Sequence, residues 1–381
     1  MIICILVSNS LKKDPRVIKQ VKVAVANGNE VFFIGTRDIN YDKQFLDNVG
    51  CNINIIDLGE KYVGALPNLF MKLKRRWCWF YYPIKMIKRI KPDIIHANDF
   101  DTLPSAFLAA KKTKSKLVYD SHEIFCENIN IQKKPVRKCI SKILERMLVK
   151  KVDAMISVSN AAANYFANTY EIKLPTVITN CPYSVEPTKL ETKVKHFTAI
   201  YSGIMIEDRG YEEYVKSAAY LEHGIKLALL GYGPILDKLK AISSEDNLDN
   251  RVSFEKPVEI AEIVPAISKF HVGIVVTKPL NINFLYTVSN KLFEYVQARI
   301  PVIMSNIPEH RYLNEKYKFG LIIDEVSPMQ ISKAINMLAA DQELYETLSV
   351  NCEKMAKEMC WENESEKLIN IYKDRHDKHL N

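Results

Sequence analysis

The sequence predicts an α/β protein of two Rossmann-like domains, and three observations predict it. Short, nearly continuous apolar strands alternate with helix-length segments, the pattern of parallel sheets covered on both faces. The alternation breaks once, in a polar stretch near the middle, and then restarts. A length of 381 residues exceeds one comfortable open-sheet core and fits two domains of ordinary size.

Taken in order, Ile2 to Val7 reads as a strand, Pro15 to Asn27 as a helix, and Glu30 to Gly35 and Ile53 to Leu58 as strands. A basic, aromatic helical region over Leu69 to Ile90 precedes a strand at Ile94 to His96 and a helix after Asp101. Then come a strand at Lys116 to Tyr119, a long helix over Val136 to Val149 and a short strand at Ala154 to Val158. The stretch Asn180 to Lys195, NCPYSVEPTKLETKVK, carries two prolines and no periodicity. A linker is expected over 183–195, between a first domain at 1–182 and a second at 196–360. In the second domain, strands are expected at Phe197 to Ser202, Lys226 to Leu230, Arg251 to Phe254, Val272 to Val276, Pro301 to Met304 and Gly320 to Ile323. Helices are expected over Gly210 to Leu221, from about Ile235, over Ser289 to Gln297 and over Pro328 to Leu338. The last helices, between Gln342 and His379, complete the second domain or, over 361–381, cross back to the first.

Composition fits a globular protein, with 48% hydrophobic and 26% charged residues. The eight cysteines are scattered without the close pairs of a zinc ribbon or a disulfide scaffold, which suits buried thiols in a reducing, cytoplasmic compartment. MIICILVSN has no basic region before its short apolar run and reads as a first buried strand rather than a signal peptide. No stretch reaches the roughly 18 uninterrupted apolar residues needed to cross a bilayer.

The net charge of +8 is unevenly placed. Residues 72–91 hold eight basic residues, no acidic ones and five aromatics, and 133–151 hold eight basic residues against the single Glu145. Such faces attract anionic lipid head groups or polyphosphates. A plain solvated face is the alternative. Nucleic acid is not expected as a partner, because no helix-turn-helix, zinc-finger or single-strand-binding pattern accompanies the charge. The expected location is cytoplasmic, with peripheral contact at the inner face of the cell membrane.

In open parallel sheets a ligand sits beyond the carboxyl ends of the strands. Three such ends in the first domain carry Ser8, Asn9 and Ser10, then His96 and Asp99, then Asp120, Ser121, His122 and Glu123. His122 falls where the chain turns and is the stronger candidate for proton transfer or phosphate contact, while His96 lies nearer the strand interior. The sequence SNSLKKDP after the first strand has no glycine and disfavours a dinucleotide-dependent dehydrogenase. GxSxG and HExxH are absent, and no carboxylate or histidine cage suggests a metal. The second domain offers phosphate chemistry: Gly203, then Arg209 entering a helix, then the turn Leu230-Gly-Tyr-Gly-Pro234 with Gly231 and Gly233. In Tyr286 to Tyr295, Ser289 or Asn290 can cap a helix, with Lys291 and Glu294 about one turn apart. A carboxylate such as Glu294 can accept two ribose hydroxyls, and Lys291 can balance phosphate charge.

These segments, in their order and spacing, resemble the large retaining glycosyltransferase family 4. DPRVIKQVKVAVANGNEVFFIG, KPDIIHANDFDTLPSAFLAA and KLVYDSHE resemble first-domain signatures, and ISVSNAAANYF and VITNCP resemble the segment before the linker. YSGIMIEDRGYEEYVKSA, LLGYGP and SNKLFEYVQARIPVIMSNIPEHRYL resemble the donor-site motifs of the second domain. The resemblance implies the GT-B glycosyltransferase fold, two facing Rossmann-like domains as in glycogen phosphorylase, the first for the acceptor and the second for the nucleotide sugar. It implies a hexosyltransferase that moves a sugar from a nucleotide-diphosphate donor with retention, without a cofactor and without metal, by front-face transfer under domain closure. Arg209 would contact donor phosphate, Gly203, Gly231 and Gly233 would line the nucleotide, and Glu294 would bind ribose. Ser289, Asn290, Lys291 and Leu292 would lie near the phosphates or nucleoside, and His122 near the reacting sugar.

Two departures from the family pattern stand out. Tyr286 occupies the place of a first glutamate eight positions before Glu294, and Ile204 the place where an arginine often follows the glycine. Lys278 is a candidate replacement cation. The basic, aromatic first domain favours a glycan or polyprenyl-linked saccharide acceptor in bacterial surface polysaccharide synthesis. A nucleotide-sugar epimerase and a non-catalytic nucleotide-sugar-binding protein remain as alternatives.

Overall fold

The computed structural model describes residues 1–11, 14–36, 53–57, 69–286 and 288–374. Lys12, Lys13, Cys51, Leu58, Thr287 and the stretch from 375 toward His379 lie outside the described residues. The chain divides into two compact units, Met1–Thr179 with Ser365–Asn381, and Asn180–Glu364.

Unit 1 is a seven-stranded sheet in the order β3-β2-β1-β4-β5-β6-β7, every pairing parallel. Its strands are β1 (Ile2–Ser10), β2 (Glu30–Thr36), β3 (Ile53–Asp57), β4 (Ile94–Asn98), β5 (Lys116–Ser121), β6 (Ala154–Ser157) and β7 (Thr176–Val177). The helices are α1 (Pro15–Ala26), α2 (Leu69–Ile90), α3 (Leu103–Thr113), the short α4 (Ile129–Gln132), α5 (Pro135–Val149) and α6 (Asn160–Tyr170). Ile3 to Val7 of β1 are almost wholly buried, as a central strand covered on both faces requires. The Asp14 carboxylate caps α1 by accepting from the Val17 amide at 3.1 Å, with Pro15 fixing the first helical φ.

Unit 2 is a six-stranded sheet in the order β10-β9-β8-β11-β12-β13, again all parallel. Its strands are β8 (Thr198–Ile204), β9 (Lys226–Tyr232), β10 (Val252–Glu255), β11 (Val272–Val275), β12 (Val302–Ser305) and β13 (Gly320–Ile323). The helices are α7 (Tyr211–Ser217), α8 (Leu236–Glu245), α9 (Ile263–Ser268), α10 (Ile282–Tyr286), α11 (Asn290–Gln297), α12 (Pro308–Tyr317), α13 (Pro328–Ala340) and α14 (Gln342–Glu358). In each sheet the chain builds outward on one side and then returns to the other side of its first strand. This creates a switch point between β1 and β4 and another between β8 and β11.

Several elements differ from the sequence reading. The helix expected over Gly210 to Leu221 stops at Ser217 and tightens to a 3-10 turn, Ala218–Tyr220. The Tyr286-to-Tyr295 run is split, since α10 ends at Tyr286 and α11 starts at Asn290. The stretch 183–195, expected as a linker, is held on unit 2. Lys193 Nζ donates to the Ser268 and Phe270 carbonyls, the Glu191 amide donates to Ser268 Oγ, and Val185, Leu190 and Val194 pack on the core. The last helix, α15 (Trp361–Lys373), returns to unit 1, where Lys116 Nζ donates to the carbonyls of Ile371 and Asp374. Among the described residues no helix is long and apolar enough to cross a membrane.

One buried acid organises the packing of α5 on unit 1. Glu145 is fully buried and accepts from the hydroxyls of Tyr170 (2.6 Å) and Tyr119 (3.1 Å) and from the Cys126 thiol (3.2 Å). Burial pushes its carboxyl above the usual glutamate range, opposed by these donors. Glu145→Ala strands three buried donors at about 1–3 kcal/mol each, so chemical denaturation should register a loss of roughly 3 kcal/mol or more. A raised acid favours the folded state while it is protonated. The stability of wild type relative to Glu145→Gln should therefore fall as pH rises above the ordinary glutamate range, which a pH series of melting curves would record.

Candidate active site

The switch point of unit 1 gathers the ends of β1, β4 and β5. Asp120, the fifth residue of β5, is buried and held by α1: Arg16 donates to it from Nε (3.0 Å) and Nη2 (2.8 Å), and Gln20 from Nε2 (2.6 Å). Arg16 Nη1 also donates to the Ile178 carbonyl at 2.9 Å. Burial alone would raise the Asp120 carboxyl, but the Arg16 guanidinium and His122 hold it well below the usual range.

His122 sits just past β5. Its Nδ1 is 3.5 Å from Asp99 Oδ2, and its Nε2 is 3.1 Å from Asn98 Oδ1 and 3.5 Å from Asp120 Oδ2. Asp99 adopts a left-handed φ of 62°, and its carboxylate also accepts from the His122 amide at 3.0 Å. Burial works to lower the imidazole pKa, yet Asp99 and Asp120 outweigh it and push the group up to about 9. At neutral pH His122 is therefore an imidazolium, a donor from both ring nitrogens and no proton acceptor.

His96, Ser121 and Glu123, further candidates of unit 1, are engaged within it. His96 is wholly buried inside β4, its Nδ1 2.7 Å from the Tyr372 hydroxyl of α15 and its Nε2 3.7 Å from Asp120. Burial lowers its pKa against the pull of Asp120. The Glu123 carboxylate accepts from Asn128, and Ser121 Oγ donates to the Glu123 carbonyl.

In unit 2 the ends of β8 and β9 run so close that side chains are excluded. A Cβ on Gly231 (φ 141°) would lie 2.1 Å from the Gly203 carbonyl oxygen, and one on Gly203 (φ 112°) would lie 2.5 Å from Lys291 Cε. The Lys291 side chain thus lies across the bare face of Gly203. Gly233 packs against the Met205 main chain in the same turn. Burial lowers the Lys291 amine to about 8, with Glu294 opposing and Arg209 adding to the shift. Arg209 lies over Phe284, guanidinium carbon to ring centroid 4.0 Å, and its carbonyl is held by the Tyr201 hydroxyl. Tyr201 in turn stacks on Tyr211 at 3.9 Å.

The structure thus brings Gly203, Gly231, Lys291 and, through the electrostatic coupling of their side chains, Arg209 and Glu294 into one neighbourhood. Ser289 takes the N-cap position of α11 with extended backbone, but its hydroxyl accepts no capping bond. Asn290 is exposed at the first helical position. Leu292 departs from the expectation: its side chain is fully buried in the core, so only its main chain can reach a ligand. Lys278, the candidate replacement cation, pairs with Glu213 at 2.6 Å. Ile204 is exposed, opposite Tyr232 in the β8–β9 register.

Sequence reasoning passed over Arg16, Gln20 and Asn98 in unit 1 and Phe284 in unit 2. Arg16 and Gln20 are spaced i, i+4 on the apolar face of an amphipathic helix, a detectable sign of a buried polar pair. Phe284 gives no such sign, because it meets Arg209 across 75 residues of chain.

Two matched sheets, each with its polar groups at a switch point, define a protein of the GT-B class. The profile described as Glycosyltransferase Family 4 matches residues 17–181, and the one described as Glycosyl transferases group 1 matches residues 184–355. The chain is built as a two-domain GT-B glycosyltransferase from one domain of each kind. No curated protein matches it significantly. Among solved structures it is similar to HepE of Anabaena in complex with UDP and glucose (14% identity, 98% of this chain and 99% of that one, TM-score 0.73). It is similar to sucrose-phosphate synthase of Thermosynechococcus elongatus (16%, 98% and 98%, 0.75) and to the lipopolysaccharide outer core galactosyltransferase WaaB (15%, 98% and 99%, 0.68).

The charge state of His122 can be tested directly. Asp99→Asn removes the carboxylate facing Nδ1 and should move the His122 titration, followed by NMR of labelled imidazole, down from about 9 toward the ordinary range. Because the folded His122 pKa is raised, its stabilisation is in place near about pH 6.5 and disappears as pH rises through about 9, while burial raises Asp99 to about 6, so the pairing also weakens below that pH. Asp99→Asn should flatten that part of the stability profile.

Proposed function

We propose that the protein is a retaining glycosyltransferase that moves a sugar from a nucleotide-diphosphate donor to a glycan or lipid-linked saccharide acceptor. The observation that carries the reading is the pair of partly desolvated cations in unit 2, Lys291 across Gly203 and Arg209 on Phe284. A diphosphate leaving group develops negative charge as the glycosidic bond breaks, and positioned cations lower that barrier without reorganising at the moment of reaction. Gly203, Gly231 and Gly233 let main-chain amides approach the phosphates, with Ser289, Asn290 and the Leu292 main chain at the start of α11. Glu294, one turn beyond Lys291, accepts the ribose hydroxyls.

Retention follows from front-face departure and attack. The leaving phosphate takes the acceptor proton, so no side chain needs to serve as a covalent nucleophile or a strong base. This agrees with His122 as an imidazolium, whose role would be to donate toward the reacting sugar or diphosphate. Charge neutralisation by Arg209 and Lys291 is proposed to take the place of a metal. HepE with UDP and glucose supports a nucleoside diphosphate donor, and WaaB supports a surface saccharide as acceptor. Bacterial surface polysaccharide synthesis in the cytoplasm is the setting this favours.

The test is mass-spectrometric detection of transfer from UDP-, GDP- and ADP-sugars to extracted lipid-linked saccharides. One donor should yield a product heavier by one sugar, unchanged by a chelator. Arg209→Ala and Lys291→Ala should each lower the rate roughly 100-fold, and Glu294→Ala should abolish detectable transfer. Donor binding without product across a broad acceptor pool would contradict transfer and favour a non-catalytic nucleotide-sugar-binding protein. Release of an altered sugar nucleotide without acceptor would favour an epimerase.

A further inference from the structure

Helix α5 is built inside out. It buries Ser141, Glu145, Leu148 and Val149 against unit 1 and turns a line of large apolar residues to solvent: Val136 (72% exposed), Ile140 (61%), Ile143 (57%) and Met147 (56%). The spacing of four, three and four places them on one stripe, the face opposite Glu145. Leu144 is also exposed beside it. A helix stripe of this kind left in water marks an interaction surface.

The charges around the stripe say what covers it. Residues 133–151 carry eight basic residues and one acid, and that acid, Glu145, is buried beneath the helix. Lys138 and Lys142 pair with Glu127, and Arg146 and Lys150 with Glu171. Lys133, Lys134 and Arg137 are exposed and, among the described residues, enter no ion pair. The neighbouring α3, which packs against both α5 and α2, exposes Leu108, and α2 exposes Trp77, Tyr81 and Tyr82, the Trp77 and Tyr81 rings stacked 6.5 Å apart. Apolar side chains flanked by cations and accompanied by exposed Trp and Tyr fit a lipid interface. Two copies of the stripe facing each other would set like charges together, which disfavours self-association.

We propose that α5 docks unit 1 on an anionic lipid bilayer. Val136, Ile140, Ile143 and Met147 enter the boundary between head groups and acyl chains, and Lys133, Lys134 and Arg137 meet lipid phosphates. The proposal rests on the exposure and charge of α5 and not on sugar transfer, so either can fail without the other.

The experiment is co-sedimentation of the full chain with vesicles of phosphatidylcholine alone or mixed with phosphatidylglycerol. Binding should require phosphatidylglycerol and weaken with salt. The double variant Ile140→Asp/Met147→Asp should bind roughly tenfold more weakly, and Lys134→Glu/Arg137→Glu should lose the preference for the anionic lipid. Val350→Asp, which alters an exposed apolar residue of α14 in unit 2, should bind as wild type does. Melting curves matching wild type establish that the variants fold. Equal binding of wild type and Ile140→Asp/Met147→Asp overturns the proposal. So does a dimer in sedimentation equilibrium that the same variant dissociates, because the stripe would then be a contact between copies.

Discussion

Two parallel sheets covered on both faces leave polar chemistry little room except at the carboxyl ends of their strands. That constraint orders the rest of the protein. Along β1 and β4 an unsatisfied polar group is costly, and at His96 the Tyr372 hydroxyl meets Nδ1 while Nε2 faces Asp120 at 3.7 Å. Asp120 is in turn tolerated by the two-pronged grip of Arg16 and the amide of Gln20. Removing one member of such a buried pair costs on the order of 3–5 kcal/mol, so α1, β5 and the carbonyl of Ile178 are locked to one another. This grip fixes Asp120, one of the two carboxylates that raise the His122 pKa, and the other, Asp99, is tied to the His122 amide.

Unit 2 meets the same constraint with main chain rather than ion pairs. Gly231 approaches the Gly203 carbonyl too closely for any side chain, and the vacated face of Gly203 is where Lys291 lies. The amine is placed by packing and left partly desolvated, its pKa brought down to about 8. Such a group gains most from an arriving anion, because its desolvation is already present in the unliganded protein. Phe284 covers the Arg209 guanidinium, and burial likewise lowers its pKa.

Much of this was legible in the sequence because fold and site use different signals. Apolar runs with intervening helical periods gave both sheets, and the end of a strand is a local feature, so His122, Gly203, Gly231 and Lys291 could be singled out from their neighbours alone. What stayed hidden depends on distant partners. The motif around Leu292 did not show that α11 turns its side chain into the core. Nothing around Lys278 showed that Glu213, far away in sequence, pairs with it. The stretch 183–195 is polar and proline-bearing, yet three apolar side chains and Lys193 fasten it to unit 2. Helix α5 shows the limit of patterning most clearly, since its periodicity defines two faces and only the donors around Glu145 decide that the polar one is buried.

Lys291, poised across Gly203, is proposed to receive a nucleoside diphosphate. The measurement that tests it most directly is calorimetric titration at pH 8 with UDP, GDP and ADP, in two buffers of different ionisation enthalpy. Lys291 is partly neutral at that pH, so a diphosphate that binds beside it must draw a proton from the buffer. The account predicts proton uptake on binding in wild type, with weaker affinity and no uptake in Lys291→Met. Equal affinity in the two proteins, with no uptake in either, would contradict it.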